Sequence, residues 1–205
     1  MTGLYLPGGV EERRQQRALI KRMEAAARSS DIDAFKDGLE AMDGADDGWR
    51  LLLGRVARMP SPPSAGFRAM FERLMASHGD HLRQECDDLA LIKALRSLYP
   101  PYRGGGLRLY RGEVAVNRRR RTYGVSWTHD RAIAECFATG IQQTSEGGSV
   151  LLETDAPAAA IIRIPRAERY THEREVWVDR RELDHVRVLV RYLQRPLKQS
   201  GEKLA

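Results

Sequence analysis

The chain has 205 residues, 42% of them hydrophobic, and it carries a formal net charge of +6. This length suits one domain or two small ones, and the apolar content is enough for a hydrophobic core. No apolar run reaches the roughly 18 residues of a membrane span, and the start lacks the features of a signal peptide. We therefore expect a soluble, cytoplasmic protein without a membrane partner.

The positive charge is distributed unevenly along the chain. Residues 1–101 contain 15 Lys and Arg and 15 Asp and Glu, so the whole excess lies in residues 102–205. That second half should attract polyanions or phosphorylated ligands.

The spacing of cysteines and histidines suggests no metal site. Cys86 and Cys136 are far apart and match no metal-ligand pattern, so buried, reduced thiols are expected, with a structural disulfide as the minor alternative. His78 and His81 are three residues apart, but no nearby cysteine or carboxylate pattern completes a site. We predict a protein without a metal.

The first half of the chain has the pattern of successive helices. Residues 11–28 are rich in helix formers, contain no Gly or Pro, and begin with acidic residues, as the helix dipole favours. Ser30 and Asp31 can cap a second helix, whose apolar residues recur at helical spacing through Met42. Further helical patterns lie at 49–58, at 67–74 after the Pro/Ser-rich linker 59–64, and, as one long helix, at 82–98. These patterns predict a helical region over residues 1–101.

The second half has the pattern of strands with few helices. A Pro- and Gly-rich segment at 99–106 marks the boundary. One helix is predicted at 131–138, capped by Thr128 or Asp130, with Ile133, Ala134 and Phe137 facing inward. Segments typical of strands, or apolar, lie at 107–111, continuing at 114–116, and at 123–127, 149–153, 159–164, 175–178 and 185–193. The sequence predicts an α+β fold with a second domain at 102–197 and a frayed tail at 198–205.

Two glutamates stand at the entrance of one predicted strand. Glu173 and Glu175 precede an apolar Val-Trp-Val run, and in an extended chain they project on the same side. Like charges this close are costly unless a positive group lies opposite them. Taken alone, the pair is explained by a charged strand entrance beside Arg174.

Three short motifs follow one another in the second half of the chain. They are Leu-Tyr-Arg-Gly at 109–112, Gly-Val-Ser-Trp-Thr at 124–128, and Glu-Arg-Glu-Val at 173–176. In this order the motifs resemble the Arg-Ser-Glu class of ADP-ribosyltransferases, which includes cholera-toxin-like and clostridial toxins, vertebrate arginine-specific ectoenzymes and phage enzymes. That family has an Arg ending the first strand of a split sheet, a Ser-x-Ser/Thr strand, and a last strand that often begins Glu-x-Glu. The resemblance implies a split-β-sheet ADP-ribosyltransferase core after the helical half.

The resemblance implies a role for each motif residue in cleaving NAD⁺, which serves as a substrate. Positive charge develops on the sugar as the nicotinamide-ribose bond breaks, so a carboxylate near the ribose stabilises the transition state; this role falls to Glu175. Glu173 would orient or deprotonate the acceptor. Arg111 would grip the NAD⁺ phosphates. Ser126 would hold Glu175 by a hydrogen bond, with Thr128 supporting the sheet or the site.

The predicted binding residues extend beyond these catalytic ones. Phe137 is the candidate for stacking on nicotinamide, Tyr170 lies in the family's target-recognition region, and 146–149 corresponds to the segment that wraps the phosphates and nicotinamide. The basic run is Arg118, Arg119, Arg120 and Arg121, an exposed loop or strand edge that could meet an anionic target. The residues predicted to bind NAD⁺ are Arg111, Gly112, Ser126, Trp127, Thr128, Phe137 and Glu175.

Each of these roles has a structural alternative. Arg111 could simply extend from a strand end, Ser126 could satisfy a backbone group, and Phe137 could be ordinary core. The arginine run could be a solvated loop.

The resemblance predicts a mono-ADP-ribosyltransferase that passes ADP-ribose from NAD⁺ to a macromolecule. In the family, Glu two residues before the catalytic Glu accompanies arginine acceptors, so a protein arginine is the first hypothesis. A nucleic-acid acceptor is the second, because the catalytic half is basic. A non-catalytic module that binds polyanions on the same fold is the third. A toxin, a phage factor or a defence factor, and an antitoxin or inhibitor as a partner, all fit this class.

Overall fold

The structure is a computed structural model that describes residues 9–43, 45, 47–165 and 174–196. The chain forms two compact units, Met1–Pro100 and Pro101–Ala205. The first unit is helical, and the second combines a sheet with short helices. Glu173, Tyr170 and the tail predicted to fray lie outside the described residues.

The first unit has six helices in its described part. The fourth helix is central to their packing, because it contacts both the first and the sixth. Side chains of Asp31, Ser64 and Asp87 accept hydrogen bonds from backbone N–H groups that would otherwise lack a partner at helix starts. The helices are α1 (Val10–Ser29), α2 (Ile32–Lys36), α3 (Leu39–Asp43), α4 (Gly48–Val56), α5 (Ala65–Glu85) and α6 (Asp88–Leu98). The largest buried side chains of this core include Trp49, Phe35, Phe67, Phe71 and Leu52.

Two predicted helix boundaries in this unit are wrong. The helix predicted from Asp31 through Met42 is interrupted between α2 and α3, where α1 approaches closely: a Cβ on Gly38 would lie 2.7 Å from the Met23 Cγ. The single helix predicted at 82–98 is the end of α5 followed by α6. Asp87 is extended there, and its carboxylate caps α6 by accepting from the Ala90 N–H at 2.9 Å.

The described part of the second unit contains a six-stranded antiparallel sheet with strand order β4-β5-β2-β1-β3-β6. Short 3-10 helices occupy Ile141–Thr144, Ala158–Ala160 and Arg180–Glu182. The strands are β1 (Leu107–Val114), β2 (Ser126–Thr128), β3 (Ser149–Ala156), β4 (Ile161–Arg163), β5 (Glu175–Val178) and β6 (Val186–Tyr192), and the helices are α7 (Ala115–Arg120) and α8 (Arg131–Thr139).

The two faces of this sheet have different coverings. One face, termed the core face, carries a buried apolar cluster that includes Leu109, Trp127, Leu152 and Val176. Helix α8 packs on the other face, termed the α8 face, where a Cβ on Gly112 would come within 2.5 Å of its backbone. Successive side chains of each strand therefore point alternately to the core face and to the α8 face.

The structure corrects several expectations for this unit. The basic run is not a loop or strand edge: 118–120 end helix α7, and Arg121 closes it with φ of 55°. The strand predicted at 107–116 ends at Val114, and β2 is shorter than predicted. Phe137 does not face inward but is 46% exposed. Cys136 is a free thiol that is exposed rather than buried.

The mixed architecture agrees with the α+β prediction at the level of a helical first half and a sheet-containing second half. In the part of the chain that the structure describes, no helix is both long enough and apolar enough to cross a membrane.

Candidate functional site

One predicted site residue of each motif lies on one of three neighbouring strands. Arg111 is in β1, Ser126 begins β2, and Glu175 begins β5, and these strands are consecutive in the sheet. The motifs are separated by up to about sixty residues in sequence, so only the strand order brings them together. Asp130 caps α8 directly after β2 by accepting from the N–H groups of Ala132 and Ile133.

A row of polar side chains crosses these strands on the α8 face. Thr128 lies opposite Tyr110 on one side and opposite Glu175 on the other. Residues directly opposite in an antiparallel pair share a face. With roughly 4.8 Å between neighbouring strands, Tyr110 and Glu175 are about 10 Å apart across Thr128. Thr128 is buried, and its Oγ1 accepts from the Asp130 N–H at 3.0 Å.

Ser126 joins this row from the next position on the same face. It lies opposite Trp177, two residues beyond Glu175. Ser126 and Glu175 are therefore diagonal neighbours, whose Cα atoms are roughly 7–8 Å apart in such ladders. Both side chains are partly exposed. The hydrogen bond between them stays a prediction.

Arg111 leaves the sheet on the core face. It follows Tyr110 in a regular strand, so its side chain points away from the face that carries Glu175. The residue is 8% exposed, its Nε donates to Glu113 Oε2 at 2.7 Å, and its Nη1 donates to the Ser126 backbone oxygen. The predicted contact with NAD⁺ phosphates stays a prediction; in this structure the guanidinium binds protein groups.

Glu113 is a buried carboxylate that the sequence analysis did not single out. It is 2% exposed, and its oxygens accept from the Asn117 side-chain amide at 3.0 Å, the Val114 N–H at 3.0 Å and the Gly124 N–H at 3.2 Å, besides Arg111. Burial alone would raise the pKa of Glu113. The positive charge of Arg111 and the hydrogen bonds from Arg111, Asn117 and Gly124 outweigh burial and lower the pKa below its ordinary value. Removing one partner of such a pair typically costs about 3–5 kcal/mol.

The side chains of Arg111 and Glu113 connect β1 to β2 where these strands share little backbone pairing, a contact termed the joint. In the described chain, β1 and β2 are joined at one register pair, Tyr110 with Thr128. Val125 presents its backbone oxygen to β5, where it accepts from the Val178 N–H at 2.8 Å, so Gly124 and Ser126 face β1. The N–H of Gly124 and the oxygen of Ser126 are bound by side chains of β1.

The other residues predicted to bind NAD⁺ differ in their accessibility. Trp127 is buried on the core face, where its Nε1 donates to the Gly124 oxygen at 3.1 Å and its ring packs edge-on against Tyr123. The space beside Gly112 is occupied by Ala134 and Ala138 of α8. Phe137 is exposed on α8, so its ring is available to a ligand.

The arginine run belongs to the core-face side of the sheet. Ala115, at the start of α7, is buried in the apolar cluster of that face. Arg118 is partly buried and donates to the Val186 oxygen at 3.5 Å, whereas 119–121 are exposed. By these contacts α7 lies on the face opposite to the row that contains Glu175.

The segment 146–149 is a tight turn that leads from the 3-10 helix Ile141–Thr144 into β3. Gly147 and Gly148 have φ of 77° and 74°, a backbone conformation that glycine adopts without strain. The Gly148 oxygen accepts from the Ala115 N–H at 2.9 Å, and the Ser149 Oγ donates to the Ala138 oxygen at 2.5 Å. These bonds fix the turn; its contact with NAD⁺ stays a prediction.

The start of β5 is the described part nearest in sequence to Glu173. Arg174 has φ of 48°, and its NH1 lies 3.7 Å from the Asp130 carboxylate at the cap of α8. Among the residues that the structure describes, no group of three or more His, Cys, Asp or Glu is arranged to hold a metal ion.

Comparisons with protein-family models, with curated proteins and with solved structures found no match to this chain.

Proposed function

We propose that the protein is a mono-ADP-ribosyltransferase that transfers ADP-ribose from NAD⁺ to a macromolecule. The observation that supports it most is the placement of Glu175 directly opposite Thr128 and diagonal to Ser126, with β2 lying between β5 and the strand that contains Arg111. Motifs that are distant in sequence and resemble those of one enzyme class fall on three consecutive strands, with Ser126, Thr128 and Glu175 on the α8 face and Arg111 on the core face.

The proposed reaction breaks one bond and forms another at the same carbon. The C–N bond between ribose C1′ and nicotinamide breaks, and nicotinamide leaves with the bonding electrons. The acceptor nitrogen then bonds to C1′ and loses a proton. Glu175, partly exposed at the start of its strand, stabilises the positive charge that develops on the ribose.

The hydroxyls of β2 would prepare the site around this carboxylate. Thr128 is buried and tied to the start of α8 through the Asp130 N–H, so it offers a fixed neighbour to Glu175. Ser126 is partly exposed, unlike Thr128, and would hydrogen-bond the Glu175 carboxylate or the ribose. Phe137 presents an exposed ring on α8 for nicotinamide.

A protein arginine is the acceptor that we favour. Glu173 precedes Glu175 by two residues, the arrangement that accompanies arginine acceptors in the family, and its proposed role is to take the proton from the guanidinium. A nucleic acid is the second candidate, supported by the exposed arginines 119–121. A non-catalytic polyanion-binding module is the third.

Labelled NAD⁺ separates these candidates. The protein is incubated with NAD⁺ labelled in the adenylate part and with a lysate, and the products are treated with protease or with nuclease. Label lost to protease but retained after nuclease supports a protein acceptor, and the reverse supports a nucleic acid. If the protein produces no labelled product and releases no nicotinamide, the enzyme hypothesis is refuted and the third candidate is favoured. The Glu175→Gln variant is the negative control.

A further inference from the structure

We propose that Glu113 is a positioning residue for the candidate site: through Arg111 it holds β2 against β1 and so fixes Ser126 and Thr128 beside Glu175. Its catalytic consequence rests on the proposed function, whereas its effect on the joint does not.

The backbone pairing between β1 and β2 is limited. The sheet has a three-stranded part, β4-β5-β2, and a second part, β1-β3-β6, and the described register between them is the one pair Tyr110 and Thr128. By contrast, β1 and β3 pair along eight residues, from Leu107 with Ala156 to Val114 with Ser149. The position of Thr128 and Glu175 relative to β1 therefore depends on few backbone hydrogen bonds.

Side chains of β1 add hydrogen bonds beside this single register pair. Arg111 donates to the backbone oxygen of Ser126, and Glu113 accepts from the backbone N–H of Gly124 at 3.2 Å. Both groups lie on the edge of the β2 segment that faces β1. The two side chains also bind each other at 2.7 Å. One ion pair thus binds two backbone positions, Gly124 just before β2 and Ser126 at its start.

Glu113 orients Arg111. An arginine on a strand ordinarily extends its charged group into water, and Arg111 lies within β1 rather than at its end. Here the carboxylate beside it is buried, and Asn117 and the Val114 N–H hold that carboxylate in place at 3.0 Å each. A buried guanidinium needs this partner, so the direction in which Arg111 points is set by Glu113.

The test is Glu113→Gln, which keeps the shape of the side chain and removes its charge. The control is Asp155→Asn, which removes the charge from an exposed ion pair between β1 and β3, where Asp155 accepts from Arg108 at 2.8 Å. Nicotinamide release gives kcat and KM for NAD⁺, normalised to folded protein. NMR signals of the Gly124 amide and the Trp127 indole N–H, which donates to the Gly124 oxygen, report on the joint without reference to activity.

We expect Glu113→Gln to shift both NMR signals, speed their hydrogen exchange and lower kcat about tenfold or more, with KM nearly unchanged. The control should change neither the signals nor kcat. A purely structural role would lower the yield of folded protein and leave its kcat unchanged. That result, or unshifted signals in the folded variant, would overturn the proposal.

Other outcomes are equally decisive. A raised KM with unchanged kcat would show that Glu113 serves phosphate binding by Arg111 rather than positioning. If the parent protein itself fails to cleave NAD⁺, the proposed function fails, and shifted NMR signals still support the joint while unshifted ones reject it. Should Glu113→Gln not fold, Asn117→Ala removes one donor to Glu113 and keeps the charges. It should change the signals and kcat in the same direction by a smaller factor; unchanged signals and kcat would overturn the proposal.

Discussion

Thr128 lies directly opposite Glu175 in the sheet, and both project on the face on which α8 packs. Because Thr128 also lies opposite Tyr110, the three residues form one row across β5, β2 and β1. This relationship is the geometric basis of the proposed NAD⁺ chemistry.

Replacing Glu175 by glutamine should abolish nicotinamide release while the fold remains intact. The amide keeps the size of the side chain but cannot stabilise positive charge on the ribose, so we expect a loss of about a hundredfold to a thousandfold or more in kcat. Glu182→Gln, at an exposed position of the same unit, is the matched control and should retain full activity. Undiminished turnover in Glu175→Gln, with circular dichroism unchanged, would remove the central assignment.

Replacing Glu173 by glutamine should separate the two halves of the reaction. The proposed base acts on the acceptor, so transfer to arginine should fall more than hydrolysis of NAD⁺ by water. The measurement compares label on the acceptor with free nicotinamide in the same reaction. Equal losses of both products would contradict the division of roles between Glu173 and Glu175.

Gly112→Ala should destabilise the second unit. The added Cβ would lie 2.5 Å from the Ala134 oxygen and 2.9 Å from the Ala138 Cα, so the α8 backbone would have to move. Such overpacking typically costs about 1–3 kcal/mol, measured as the free energy of unfolding in urea. Gly105→Ala is the control, because a Cβ there meets nothing within 4 Å. Equal stability of the two variants would disprove the tight contact between α8 and β1.

The stability that Glu113 provides should disappear in acid. Its pKa is lowered in the folded state, because Arg111 and its hydrogen bonds outweigh the effect of burial. The contribution is therefore present above the pKa of the unfolded chain, about 4.3, and is lost as pH falls through the lower folded value. Urea unfolding of the parent and Glu113→Gln should show a stability difference that shrinks below about pH 4. A difference that is constant with pH would contradict this linkage.

The two cysteines should react at very different rates. Burial, followed by nearby acidic residues such as Asp87, raises the pKa of Cys86 to about 12, and its Sγ donates to the Leu82 oxygen at 2.7 Å. Cys136 is exposed. Because the thiolate is the reactive form, a maleimide should label only Cys136 in the native protein at about pH 8. Cys136→Ser should abolish native labelling, and both thiols of the parent should react in denaturant; native labelling of Cys86 would contradict its burial.

Much of the element order follows from local patterns in the sequence. Helical spacing and the caps Asp31 and Asp130 identify helices, and alternation with Gly and Pro boundaries identifies strands. Local patterns failed where a distant contact decides: α2 and α3 separate where Met23 of α1 approaches Gly38, and Phe137 is exposed because Ala134 and Ala138 of α8 face Gly112.

The sequence by itself determined which residue types are available for NAD⁺ chemistry: the Glu173 and Glu175 pair, Ser126 and Thr128, and the nearby Arg111. The tertiary structure decided which of them meet. Strand order places β5, β2 and β1 side by side, and the register sets Thr128 opposite Glu175 while Arg111 points to the core face. It also decided that Glu113 is buried against Arg111. Two residues spaced as Arg111 and Glu113 are predicted to share one face of a strand. Whether that face is exposed to solvent or buried in the core depends on residues distant in sequence, so only the packing of the sheet determines it.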